Sequence, residues 1–496
     1  MQPLPEHDEV HVVSDLHMGG PAGFQILRET QRLANFIDRL TGLRPKSRLA
    51  LVLNGDVFDT LAEDIAGYVA VDEAAATVTR IMDDPAFAPV WAALAGFART
   101  PGRTLVFVIG NHDIEIALPP VQRLLNDRLA GADLEARARI VYSTTGAGYL
   151  CSVGGATVYC IHGNEVDGWN YNRYEDLARV GRRLNAGMPF TQAEWQPNAG
   201  TRMVKEVMNE VKQKYAWIDL LKPETSAAVG ALLVLDPGQA RKIDRLFGIV
   251  SERFKGNAQV DARLSADADA APDASAAAAG PGLDQMLGAN LRQVLGEGSG
   301  EDVDAMLLAA EQQHATPRAA RAADDSTLGL PGLIVDRLTG WLTGVSKAEA
   351  LRRALRDWLA KDKSFEIEHE DETYVQVSRS VGASIDFIVT GHTHLERAID
   401  MGQGRCYFNC GTWIRLLRFS DAMLENEASF NAVYGVLTKG RMHDIDTAHF
   451  GGQPFVMDQS GAVCIRVEHG RVVGELTHVE GDGTGAPRVL KRCTRG

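Results

Sequence analysis

Four short aliphatic runs, at positions 10–13, 49–53, 105–109 and 156–161, contain no Asp, Glu, Lys or Arg, and each breaks off into a polar cluster. Runs this short and this free of charge read as strands buried on both faces of a sheet. Between the first two, Leu33, Phe36, Ile37 and Leu40 recur at i, i+3, i+4 and i+7, the spacing of one helix face. Strand alternating with helix predicts an α/β layered fold.

Past about residue 168 the pattern changes. Residues 170–255 read as successive helices. Residues 265–282 hold nine alanines with three Asp, two Pro and two Gly, and no aromatic or β-branched side chain. That composition buries too little to offset its ordering entropy and predicts a disordered linker. Helical signals resume at Ser346, where Ser-Lys-Ala-Glu forms a capping box ahead of Leu351, Leu355, Trp358 and Leu359. Strand-like runs return at 385–390, 455–457, 462–467 and 472–476. The expected organisation is a β-rich core in two parts, 1–168 and 376–496, around a mostly helical insertion over 169–375.

Composition excludes several classes. Lys+Arg 51 against Asp+Glu 65 gives a net charge of −14, which disfavours non-specific binding to nucleic acid or anionic lipid. No uncharged apolar stretch reaches 18 residues, so no transmembrane helix is expected. The first residues lack the basic and apolar regions of a signal peptide. Six cysteines with no Cys-x-x-Cys pair predict a cytoplasmic protein with reduced thiols.

The chemistry lies where the strands end. The first run delivers Ser14-Asp15-Leu16-His17 and the second Asn54-Gly55-Asp56-Val57-Phe58-Asp59. The third delivers Gly110-Asn111-His112-Asp113, the fourth His162-Gly163-Asn164, and the run at 385–390 Gly391-His392-Thr393-His394. In open α/β sheets, sites assemble at the carboxyl ends of strands. Carboxylate, imidazole and amide oxygen without thiolate suit Mn, Fe or Zn. Seven donors exceed one tetrahedral ion. They fit two ions sharing a carboxylate, an arrangement that can clamp both the attacking and leaving oxygens of a phosphoester.

The ordered set D-x-H, G-D-x-x-D, G-N-H-D, H-G and G-H-x-H resembles the calcineurin-like metallophosphoesterase superfamily, over residues 10–168 and 376–480. His162 and His392 lie 230 positions apart, far more than is ordinary for that family, and this locates the insertion. The resemblance implies a four-layer α/β/β/α sandwich and two divalent or trivalent metal ions, Mn first, with Fe or Zn as alternatives. It implies that one ion is held by Asp15, His17, Asp56 and His394. The other would be held by Asp56, Asn111, His162 and His392, with Asp56 bridging. His112 is then a catalytic residue reaching the substrate phosphate, Asp113 is placed to orient its ring, and Asp59 supports the ligands from behind. A metal-bound hydroxide would be the nucleophile on a phosphomonoester, phosphodiester or pyrophosphate.

Residues 407–413, Tyr-Phe-Asn-Cys-Gly-Thr-Trp, resemble the N-x-G-[ST]-W segment of the branch containing UDP-2,3-diacylglucosamine pyrophosphohydrolases of lipid A synthesis. Two departures leave that substrate as an alternative: those enzymes typically carry Arg where this chain has His112, and they are about half as long. The expected substrate is a small-molecule or nucleotide-like phosphoester. A nuclease of the same superfamily is disfavoured by the acidic balance and the lack of a basic, aromatic stripe. A metal-stabilised, non-enzymatic scaffold is the reading outside catalysis. The insertion, joined at both ends to site-bearing strands, is expected to cap the metals.

Overall fold

The computed structural model describes residues 3–65, 67–69, 71–190, 195–222, 346–359 and 363–495. The expected linker at 265–282 and most of the helical insertion lie outside the described residues. The chain divides into two units, one comprising Met1–Lys205, Ser364–Arg415 and Asp458–Gly496, the other Glu206–Lys363 and Leu416–Met457. The first boundary falls after residue 168 because the helix Tyr174–Asn185 buries Leu177 and Val180 in the first unit's core. Residues 416–457, expected in the core, belong to the second unit.

Two sheets build the first unit. The strands are β1 (Glu6–His7), β2 (Glu9–Val13), β3 (Leu49–Asn54), β4 (Arg103–Val108), β5 (Ile140–Ser143), β6 (Tyr149–Val153), β7 (Ala156–Cys160), β8 (Phe387–Thr390), β9 (Glu396–Gly402), β10 (Arg405–Cys410), β11 (Gly461–Glu468), β12 (Arg471–His478) and β13 (Arg488–Thr494). One sheet runs β13-β12-β11-β2-β3-β4-β5, with β2 to β5 parallel and β11 antiparallel to β2. The other runs β1-β6-β7-β8-β10-β9, with β7, β8 and β10 parallel.

The layers follow from which residues each strand sends to which face. Val10, Val12, Ala50, Val52, Val106 and Val108 meet Cys151, Val158, Cys160, Phe387, Val389 and Phe408 in a core between the sheets. Their neighbours in sequence, including Val13, Leu49, Leu51, Leu53, Leu105 and Phe107, pack under helices α1 (Thr30–Gly42), α2 (Ala74–Asp83), α3 (Ala88–Arg99) and α4 (Pro119–Ala130). The predicted face of α1, Leu33, Phe36, Ile37 and Leu40, is the buried one. On the far side of the second sheet, Val377 of α5 (Glu372–Ser380) packs with Ile161, Ile388, Ile399 and Tyr407. The result is a four-layer α/β/β/α sandwich. All the expected strands of this unit form, and β1, β5, β6, β9, β10 and β13 were not foreseen because their short, alternating or polar composition hides them.

In the second unit, Ser346 Oγ accepts the amide of Glu349 at 3.1 Å and starts the helix Lys347–Leu359. The Glu349 carboxylate takes Arg352 and Arg353 instead of closing a reciprocal cap. Trp217, fully buried, donates its indole N–H to the Leu437 carbonyl of the helix Glu427–Lys439 at 2.8 Å. Among the described residues, no helix is long and apolar enough to cross a membrane.

The expectation of six reduced thiols is corrected at one pair. Cys406 of β10 and Cys493 of β13 are joined in a disulfide, with Cα atoms 6.5 Å apart. They lie 87 positions apart on strands of different sheets, a proximity no local spacing reveals. Cys151, Cys160, Cys410 and Cys464 are free and buried. Titration of the unfolded chain with a thiol reagent is expected to count four thiols without reductant and six after reduction; six in both would mean the pair is open.

Candidate metal centre

Strands β2, β3 and β4 of one sheet and β7 and β8 of the other deliver their carboxyl ends to one place, and the motif residues are the next in the chain. The turns after β2, β3 and β8 are sharp. Asp15 (φ 55°), His17 (φ 46°), Asp56 (φ 52°), His392 (φ 71°) and His394 (φ 60°) all take the left-handed conformation. That region costs a non-glycine residue roughly 1–2 kcal/mol, and such strain clusters where surrounding structure over-determines a functional geometry. In both D-x-H and H-x-H the first and third residues adopt it, so each motif turns two donors inward.

The donors converge. His17 Nε2 lies 3.0 Å from His394 Nε2, 3.6 Å from Asp56 Oδ2 and 4.0 Å from Asp15 Oδ1. His394 Nε2 is 3.2 Å from Asp15 Oδ1, and His162 Nε2 is 3.2 Å from Asp56 Oδ2. Asp15, His17, Asp56 and His394 each offer an atom within 4.8 Å of the others, all four residues buried. His162 fixes its ring by bonding Nδ1 to the Asn54 carbonyl at 2.8 Å, which leaves Nε2 as the atom facing Asp56. Asn111 Oδ1 is buried and accepts no hydrogen bond among the described residues.

One expected role is corrected. Asp113 does not orient His112. It is completely buried, and its two oxygens accept the backbone amides of Val57 and Gly110, each at 2.7 Å. Those bonds pin the G-D-x-x-D turn to the G-N-H-D turn beneath Asp56. The partner of His112 Nδ1 is Asp59 Oδ1 at 3.0 Å, and the other Asp59 oxygen lies 4.0 Å from His17 Nδ1. Adjacency in sequence to His112 gave no warning of which carboxylate reaches the ring.

Two further groups escape motif reading. Asp167 accepts His392 Nε2 at 2.8 Å, Asn170 Nδ2 at 2.7 Å and the Trp169 amide at 2.9 Å. With Nε2 so engaged, the free donor of His392 is Nδ1. The segment at 409–413 holds the two sharp turns: Asn409 Nδ2 donates to the Gly391 carbonyl at 2.7 Å, and Thr412 Oγ1 donates to the Asp15 carbonyl at 2.8 Å.

Charge explains how carboxylates survive without water. Burial raises Asp15, but the imidazoles of His394 and His162 override it and hold the group at about 2. Asp56 is likewise opposed by burial yet lowered well below the carboxylate range by His162, His112 and His17. Burial dominates at His17 and pushes it down to about 3, so that ring is neutral and ready to ligate. Asp113, with no imidazole bonded to it, is pushed up to about 7 by burial and by the Asp56 charge.

Buried carboxylates and imidazoles aimed at one point, beside an orphaned amide oxygen, are a donor set for divalent metal ions. Residues 9–200 match the family model of the calcineurin-like phosphoesterases. A search of curated proteins found no match. Over residues 9–200 the chain carries a calcineurin-like phosphoesterase domain, and members of that family are metal-dependent phosphoester hydrolases.

Gly110 provides a test of the packing. A Cβ there would fall 2.1 Å from Asp56 Oδ1 and 2.4 Å from the Asp56 amide nitrogen, closer than real atoms approach. Gly110→Ala is therefore expected to push Asp56 off its place and to weaken metal binding by about 10–100-fold, the usual cost of disturbing a ligand's support. Calorimetric titration of the folded variant with Mn2+ measures it, and unchanged affinity would show that the turn can yield.

Proposed function

We propose that the enzyme hydrolyses a phosphomonoester, phosphodiester or pyrophosphate at a dinuclear centre, acting on a small-molecule or nucleotide-like substrate. The observation that carries this reading is the position of Asp56. Its Oδ2 is faced by two imidazoles, His17 Nε2 at 3.6 Å and His162 Nε2 at 3.2 Å, as a carboxylate shared by two ions would be. Asp15, His17 and His394 would complete one ion's ligands; Asn111 Oδ1, His162 Nε2 and His392 Nδ1 would complete the other's. The donor set suits Mn2+, with Fe or Zn as alternatives. When bound, such ions activate a water and neutralise the phosphoryl oxygens.

The chain's own residues do the rest. The His112 amide donates to Asp56 Oδ1 at 2.8 Å, so the backbone that carries the ring also fixes the shared carboxylate. Asp59 Oδ1 engages His112 Nδ1 at 3.0 Å and so orients the ring with its Nε2 free to serve the departing alkoxide as a general acid. Asp167 keeps the His392 ring from turning. Nucleotide-sugar pyrophosphates stand as the second reading, because the 409–413 segment that resembles that branch grips both ligand turns.

Hydrolysis of bis-p-nitrophenyl phosphate, abolished by chelator and restored by Mn2+, tests enzyme against scaffold; folded, metal-loaded protein with no turnover on this ester or on monoesters and nucleotide-sugar pyrophosphates would defeat the proposal. For the bridge, Asp56→Ala is expected to lose both ions and His17→Ala mainly one, read by metal analysis of the folded variants. Equal residual metal in the two would contradict a shared Asp56.

His112→Ala should keep its metal and lose roughly 10²–10⁴ in kcat, the usual worth of a positioned general acid. The loss should shrink for p-nitrophenolate, which leaves without a proton. Asp59→Asn should reproduce part of the defect, and Asp113→Asn should act on stability instead. Loss of metal from His112→Ala would make that ring a ligand.

A further inference from the structure

A second cluster of metal-binding side chains lies upstream of the hydrolytic site on the same strand. Glu9 and His11 are two apart on β2 and therefore share one face of it. The neighbouring strand β11 runs antiparallel, with Cys464 directly opposite His11 and Arg466 opposite Glu9. Sheet register alone thus brings a carboxylate, an imidazole and a thiol together. His11 Nε2 is 2.8 Å from Glu9 Oε1, Cys464 Sγ is 3.4 Å from the same oxygen, and Sγ and Nε2 are 3.8 Å apart. All three residues are buried, and their donor atoms fall within 4.8 Å of one another.

These separations are the edges of a coordination face. A point central to the three atoms lies about 2 Å from each, close to the Zn–N and Zn–O distances and a little inside Zn–S. The surroundings complete the picture. Arg44 Nη1 lies 2.9 Å from Glu9 Oε2, the oxygen turned away from the other two donors, and Arg466 Nη1 donates to Cys464 Sγ at 3.5 Å. One thiolate and one carboxylate neutralise a divalent ion, so two guanidinium groups outside them meet lone pairs and not net positive charge. Outer donors of this kind orient ligands.

We propose that Glu9, His11 and Cys464 form a separate mononuclear site for a thiophilic divalent ion, zinc before manganese, with solvent in the remaining position. Sulfur sets its preference apart from the all-nitrogen-and-oxygen hydrolytic centre. The ion rivets β11 to β2, the strand whose next residues are the Asp15 and His17 turn. Its role is to hold that strand in register, and it takes no part in hydrolysis.

Cobalt substitution reads this site alone, because a thiolate bound to Co2+ gives a near-ultraviolet charge-transfer band and the hydrolytic donors include no thiol. The full-length wild type, reconstituted with Co2+, is expected to show the band. Cys464→Ser should lose it while hydrolysing bis-p-nitrophenyl phosphate, with Mn2+ supplied, within about twofold of wild type. No band from folded wild type at saturating Co2+, or an undiminished band from folded Cys464→Ser, overturns the site. Should Cys464→Ser fail to fold, zinc-edge X-ray absorption on wild type loaded with one equivalent of Zn2+ decides: one sulfur neighbour supports the site, and none overturns it.

Discussion

The arrangement depends on keeping two buried carboxylates, Asp15 and Asp56, ionised side by side. Neither is reached by water, each raises the other's proton affinity, and burial alone would neutralise both. Imidazoles are the counterweight. His394 and His162 hold Asp15 down, while His162, His112 and His17 do so for Asp56. Five chain segments must therefore end at one point, and the fold's two sheets exist in the orientation that lets strand ends from both supply them.

That convergence has a steric price, met by backbone. Side chains packed this closely leave no room for Cβ atoms on the adjoining turns, so Gly110 sits against Asp56 and Gly391 against Asp15 Oδ2, where a Cβ would approach to 2.5 Å. The left-handed turns at Asp15, His17, Asp56, His392 and His394 are strained in isolation, and the bonds from Asn409, Thr412 and Asp113 oppose their relaxation. Residues that touch no substrate thus decide whether the ligands stand ready. This is why a distant segment, 409–413, is bound up with the geometry of the first motif.

Much of this was legible in the sequence, and for a physical reason. Strands buried on both faces must be aliphatic and uncharged, and a chain that puts Asp and His immediately after such strands has little other use for them. The ligand candidates were therefore visible one by one, and they occupy the strand ends expected. What stayed hidden was set by tertiary approach. On paper Asp113, next to His112, is the partner for its ring; only the path of the turns brings Asp59 to the ring and spends Asp113 on two amides. Asp167 lies five residues past His162 in a segment without a motif, yet it reaches His392 across 225 positions. Edge strands such as β13, polar on one side, carry no clear signal at all, and the Cys406–Cys493 pair depends on one of them.

The same reasoning separates the two ways the chain uses histidine. At the strand ends, imidazoles face carboxylates from several sides, and the charges of opposite sign make a site that favours divalent ions of borderline softness. Along β2, His11 faces one carboxylate and one thiol on the helix-covered side of the sheet, and T-stacks on Phe36 of α1 with ring centroids 6.2 Å apart. The register of β2 links them, since a slip of one residue would turn Glu9 and His11 to the opposite face and displace the Asp15 turn with them.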